Sequence, residues 1–306
     1  MAIKQPQIQR IDRAHQEAII QAIIQDGCCI IQNFTDVETV QKVNAEAKPY
    51  LDADKPWKGE LFPPETRRCA NLAGRSQTAR ENWLVDPLVR ALTAKFVDKT
   101  TSNFYGETKH TYTSEAVCTI AMTFDIGQGA KAQRLHRDDK NYHVDHEDQT
   151  ATGYRVGSDV EMAFMVPRVK TTVDNGATLA IPGSHLWGGD RAPLLHEARP
   201  ATMEVTDCWV MLGGLYHAGG ANVTEAERRI VHGMFFTRGF YRQEENAYLA
   251  NRPEEVLKWS PAAQKVMGFE LSSPNIGFVE FQTPLQYLRG EEAHEFGDFD
   301  PSQEKD

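Results

Sequence analysis

Residues 208–238 read CWVMLGGLYHAGGANVTEAERRIVHGMFFTR. Two apolar, β-prone runs, 208–216 and 228–238, flank a segment of small and polar residues. His217 closes the first run, and the small residues behind it leave its imidazole uncovered. Working outward, further β-prone runs fall at 114–125, 132–138, 158–166, 177–181 and 202–205, each broken by Gly, Pro or Asp. Many short strands with turn signals between them predict a sandwich or jelly roll.

The flanks differ in character. Residues 12–25 predict a helix with Asp12 as N-cap and Ile19, Ile20, Ile23 and Ile24 on one apolar face. Asp26-Gly27 breaks it, and Cys28 to Ile31 reads as a short buried strand. A second helix is expected from Asp36 to Tyr50, a loop over 54–75, and helical segments near 78–98. Residues 252–268 return to helix, interrupted at Pro261. We expect one domain over 1–306. Residues 1–110 give a helical layer and first strands, 111–240 the β core, and 241–306 a helical extension with an acidic tail.

Composition bounds the partners. The formal net charge is −10, and residues 291–306 alone hold seven acids against one lysine. That balance argues against nucleic acid, which demands a basic footprint. No long apolar segment predicts a membrane span, and the N-terminus carries no apolar signal region. Five unpatterned cysteines fit reduced thiols, so a cytoplasmic location is expected.

The chemistry concentrates at Gln133-Arg134-Leu135-His136-Arg137-Asp138-Asp139. On a strand, residues i and i+2 share a face, so His136 and Asp138 can offer an imidazole and a carboxylate to one metal. His217 would supply a second imidazole. Two His and one carboxylate form the open-sided Fe(II) arrangement. Zinc competes, but structural zinc sites favour four ligands rich in Cys, and no cysteine has such spacing. Arg228 lies eleven residues after His217, and a hairpin can return its guanidinium toward the metal to grip a carboxylate. Arg229 would then face the other side. The Glu-Ala-Glu-Arg-Arg context also allows either arginine a surface ion pair. Thr178, in the run 176–185 that turns at Pro182-Gly183, adds a small hydroxyl. His143 and His146 read as an exposed charged loop, His185 as a structural hydrogen bond and His232 as a core histidine. Phe236 shares the phase of Arg228, so it either lines the substrate pocket or packs in the core.

Together these segments resemble the phytanoyl-CoA dioxygenase family of Fe(II)/2-oxoglutarate oxygenases. The motifs are Gln-x-Leu-His-Arg-Asp-Asp at 133–139, Gly-x-Thr-x-x-x-Pro-Gly-Ser-His at 176–185, and the His217-Asn222 segment with Arg228 beyond it. The loop before Asn222 is one residue longer than the tighter family pattern. The resemblance implies a mainly β fold with flanking helices, built on a double-stranded β-helix (a cupin-like jelly roll). It implies iron ligation by His136, Asp138 and His217, 2-oxoglutarate held by Arg228, Thr178 and Gln133, and O₂ as co-substrate. Within the family the chain looks most like fungal enzymes that tailor secondary metabolites, especially meroterpenoids, and that are often homodimers. The implied reaction is C–H abstraction leading to hydroxylation, desaturation, rearrangement or endoperoxidation. Asp138 argues against halogenation, because related halogenases carry a small residue there. Arg67, Arg68, Lys95 and Lys99 are too scattered for coenzyme A phosphates, so an apolar small-molecule substrate is favoured. An acyl or lipid hydroxylase and a catalytically silent jelly-roll partner subunit are the alternatives.

Overall fold

The computed structural model describes residues 7–59 and 62–292. Most of the expected acidic tail, from residue 293 onward, lies outside the described residues. Helices α1 (Gln16–Asp26) and α2 (Val37–Ala53) open the helical layer. The strands run β1 (Arg10–Asp12), β2 (Cys28–Gln32), β3 (Thr66–Cys69), β4 (Lys99–Tyr105), β5 (Thr108–Ser114), β6 (Ala116–Ile126) and β7 (Glu161–Pro167). They continue as β8 (Leu179–Ala180), β9 (Arg199–Pro200), β10 (Cys208–Leu212), β11 (His217–Ala218) and β12 (Arg229–Arg238).

A seven-stranded sheet has the order β1-β2-β10-β7-β12-β6-β3, and β11-β8-β9 forms a smaller one. The β1–β2 pair is parallel, and every other pairing in both sheets is antiparallel. The large sheet is covered on both faces. One face packs on the helical layer through Phe34, Val43, Trp83, Phe164, Met234 and Phe236. The other encloses Ala163, Met165, Trp209 and Val231 against Ala180 and Met203 from the smaller-sheet side. Two facing sheets with a helical layer make the double-stranded β-helix that the sequence leads one to expect.

Local signals explain the element ends. The Asp36 carboxylate accepts the Thr39 amide at 2.8 Å and caps α2, an interaction worth about 1 kcal/mol. Gly27 ends α1 at φ 74°, a conformation that costs glycine little. A Cβ there would also strike His185 Nδ1 at 2.6 Å.

Several expectations need correction. Asp12 ends β1 instead of capping α1, whose N-cap position is His15. The loop expected over 54–75 contains β3 and a short helix, Leu72–Arg75. Residues 132–138 form no strand; only an isolated bridge joins His136 to His217. The β4–β5 hairpin, exposed along nearly its whole length, was not anticipated.

Candidate active site

That isolated bridge builds a candidate metal centre. His136 and His217 exchange both backbone hydrogen bonds at 2.9 Å, so two distant segments present their imidazoles side by side. The ring centroids lie 4.6 Å apart. Asp138 joins them, with its carboxylate oxygens 3.4 Å from His136 Nε2 and 3.3 Å from His217 Nε2. One ligand atom from each residue lies within 4.8 Å of the others, and this is the one such cluster among the described residues.

Each imidazole is oriented from behind. His136 Nδ1 meets the Arg134 carbonyl at 2.7 Å and His217 Nδ1 meets the Leu215 carbonyl at 3.1 Å. Donation from Nδ1 leaves the Nε2 lone pair for a metal. Burial works to raise the Asp138 carboxyl, but the neighbouring His217 and His136 prevail and hold it far below the usual range. Burial likewise works to lower His217, and Asp138 reverses it. Three nitrogen and oxygen donors, with no fourth joining them among the described residues, fit an open-sided divalent iron site.

Arg137 shows how this geometry is held. Its buried guanidinium donates to the carbonyls of Gly214, Ser184 and Trp187 at 2.7–3.1 Å and lies 4.2 Å from the centroid of Tyr216. It therefore ties the His136–Asp138 segment to the chain leading into His217. Sequence reasoning missed it, although an arginine between two ligand positions was visible.

The two adjacent arginines face opposite sides, as expected, but in the reverse sense. Arg228 points away from the interior. Its Nε meets Asp125 at 2.7 Å, and Nη2 reaches the carbonyls of Asp125 and Glu65. Arg67 holds the other oxygen of the fully buried Asp125. Arg228 thus locks strands together and does not face the metal. Arg229 is buried, its Nε has no partner, and its nearest hydrogen-bonding side chain is Thr178 at 3.5 Å. Burial pulls Arg229 down to about 10, so it stays charged at neutral pH. A buried guanidinium with unused donors fits an incoming carboxylate.

The same phase settles β12. Val231 and Phe235 belong to the interior cluster, while Met234 and Phe236 belong to the helical-layer cluster. Phe236 packs edge-on to Phe164 at 5.7 Å, so it is a core residue and Phe235 takes the inner face instead. His232 is a core histidine, bonded to Thr123 at 2.8 Å. His185 meets the Ile24 carbonyl at 3.1 Å, the structural role expected of it. Gln133 accepts the Gly219 amide at 2.8 Å, two residues beyond His217. Asn222 is structural: it bonds the carbonyls of Ile126 and Glu227 and accepts from Thr224.

Fold and site together define the non-haem iron, 2-oxoglutarate-dependent dioxygenases. The family model described as phytanoyl-CoA dioxygenase (PhyH) matches residues 23–230, and the chain belongs to that family. Dioxygenase himG of Aspergillus japonicus is 32% identical over 275 residues, covering 87% of this chain and 85% of its own. Dioxygenase peniF of Penicillium patulum is 30% identical, covering 89% and 88%. The fold is shared with the non-haem α-ketoglutarate-dependent epimerase SnoN of nogalamycin biosynthesis, at TM-score 0.54 and 17% identity, over 78% of this chain and 90% of that one. No described helix is long and apolar enough to cross a membrane, and all five cysteines are buried free thiols.

Proposed function

We propose that this oxygenase oxidises an apolar secondary metabolite at an unactivated C–H bond, with iron held by His136, Asp138 and His217. Arg229, with Thr178 beside it, takes the distal carboxylate of 2-oxoglutarate, and Gln133 donates at the rim. With iron, 2-oxoglutarate and O₂ bound, the centre supplies an oxidant able to break such a bond. The protein's own residues orient the imidazoles, neutralise the co-substrate's charge and exclude water behind an apolar wall of Val231, Phe235 and Met165. Hydroxylation, desaturation, rearrangement and endoperoxidation differ only in the fate of the substrate radical. The meroterpenoid class and a homodimer belong to the same proposal and rest on the motif resemblance.

The observation that carries this reading is the unpaired, buried Arg229 beside Thr178, on the inner face that the metal triad also serves. The test is anaerobic absorption spectroscopy with Fe(II) and 2-oxoglutarate. Wild type is expected to show a weak visible charge-transfer band. His217→Ala should lose it, and Arg229→Ala should need at least roughly tenfold more 2-oxoglutarate. Arg228→Ala should titrate as wild type does, although it melts lower. A normal Arg229→Ala titration would return the anchor to another residue. No band in folded wild-type protein would overturn the oxygenase reading. A panel of terpenoids against acyl-CoAs then tests the substrate class.

A further inference from the structure

A cavity opens beyond the end of β12, and no residue assigned to iron or 2-oxoglutarate lines it. Its volume is about 430 Å³, within the roughly 300–1,000 Å³ of small-molecule sites. Three stretches distant in sequence wall it: residues 113–117, where β5 passes into β6, residues 239–248 after β12, and residues 265–277.

Hydrogen bonds pin these walls together. Gln243 donates from Nε2 to the carbonyls of Cys118 at 2.6 Å and Met267 at 3.1 Å. The Tyr248 hydroxyl donates to the Gly268 carbonyl, and the hydroxyls of Ser114 and Ser272 meet at 2.6 Å. Gly239 is required where two walls touch, because a Cβ there would stand 2.4 Å from the Glu115 carbonyl oxygen. The cavity is therefore preformed, and a ligand meets it without the cost of assembling it.

Its lining has two characters. Phe240, Tyr248, Leu271 and Ile276 make an apolar part. Tyr248 and Ile276 are exposed, so covering them with a ring is favourable. Among the charged groups, Lys265 pairs with Glu115 at 2.7 Å, and these two cancel. Arg242 and Glu270 stand apart: neither side chain has a hydrogen-bond or ion-pair partner among the described residues. The cations that act on Glu270 are Arg289 and Lys265. Both are engaged elsewhere, Arg289 by Glu291 at 3.7 Å and Lys265 by Glu115. Half-buried without a bonded cation, the Glu270 carboxyl is raised by desolvation.

We propose that this cavity binds a small zwitterion with an apolar ring, the chemistry of an aromatic amino acid. Arg242 takes the carboxylate, Glu270 takes the ammonium, and Phe240, Tyr248, Leu271 and Ile276 receive the ring. A ligand with one charge leaves the other cavity charge unanswered, and an uncharged one forgoes both charge-assisted hydrogen bonds. The site is separate from the oxygenase centre, and the inference does not rest on that reading.

The test uses the full chain loaded anaerobically with Fe(II) and 2-oxoglutarate. Three probes are titrated by calorimetry: L-tryptophan, indole-3-propionate, which lacks the ammonium, and tryptamine, which lacks the carboxylate. L-Tryptophan should bind wild type, and each truncated probe at least roughly tenfold more weakly. Arg242→Met should weaken tryptophan by roughly tenfold or more and leave tryptamine unchanged. Glu270→Gln should weaken tryptophan by a similar factor and leave indole-3-propionate unchanged. Both substitutions fall on side chains without partners, so both variants should melt close to wild type. Unloaded His217→Ala and Arg229→Ala should bind tryptophan as unloaded wild type does, because neither residue lines the cavity. No tryptophan binding, equal binding of all three probes, or an effect of only one or neither cavity variant would overturn the proposal. Loss of binding in His217→Ala or Arg229→Ala would do so too, by placing the probe in the oxygenase centre. The visible charge-transfer band of the loaded wild type, read in the same samples, reports on the oxygenase reading separately.

Discussion

Arg137 carries no ligand atom yet decides where two ligands stand. Three carbonyls and the Tyr216 ring surround its guanidinium, a planar fork that an ammonium cannot copy. Arg137→Lys is expected to weaken Fe(II) binding by roughly 10- to 100-fold, the scale of outer-shell losses. The affinity of the iron-loaded protein for 2-oxoglutarate should change far less. Equilibrium metal titration followed by 2-oxoglutarate titration checks this split. A structural defect alone would degrade both affinities together.

At the scale of the element, β12 explains both what the sequence revealed and what it hid. The triad was legible because His-x-Asp and a histidine ending an apolar strand carry chemistry in their residue types. The direction of β12 was not legible. Eight of its ten residues are apolar or uncharged, and nine are buried, so alternation offers no polar face to mark the outside. Such a pattern leaves strand phase open, so it puts Arg228 on the wrong side and leaves Phe236 undecided between pocket and core, while His232 is read as the core histidine that it is. The β4–β5 hairpin escaped for the opposite reason. Its threonines and Ser102 are exposed, and only Ser114 at its end is buried, so almost no burial pattern is written into it. The short β8, β9 and β11 strands were blurred because two-residue pairings carry almost no periodicity.

The inner face of β12 also gives a test at this scale. Gly233 lies between Met165 and Phe235, and a Cβ there would come within 2.9 Å of Met165 Sδ and 2.8 Å of the Phe235 ring. Gly233→Ala is therefore expected to cost about 1–3 kcal/mol through overpacking and to crowd the inner face of the sheet. Chemical denaturation measures the first effect. The second should appear as weaker binding of bulky substrates, with 2-oxoglutarate binding retained.

At the scale of the whole molecule, two buried histidines contribute to the response to acid. Burial lowers His185 to about 4 and His232 to about 3. Both are neutral in the folded chain and recover an ordinary value near 6.5 on unfolding. The unfolded state therefore takes up more protons as pH falls below about 6.5, and stability contributed by the neutral rings above that pH is lost progressively toward their folded values. Their share of the stability should fall from about pH 6.5, ending near pH 4 for His185 and near pH 3 for His232, while the Asp159 carboxyl, raised to about 6 by burial, acts in the opposite sense over part of that range. His232→Gln keeps an acceptor for Thr123 and removes the titrating ring, so its melting temperature should fall less than that of wild type across the whole range from about pH 6.5 to 3. Calorimetry across that range checks it. An unchanged slope would place the acid sensitivity elsewhere.

The adjacent arginines have one more implication. If the strand slid one step in its pairing and drew one residue out of the connecting loop, Arg228 would enter the inward position that Arg229 now holds. The inner anchor would still be an arginine. Relatives of this chain can therefore differ by one in the count from distal histidine to anchor without losing it. A residue aligned by that count alone is as apt to be the strand clasp as the co-substrate anchor.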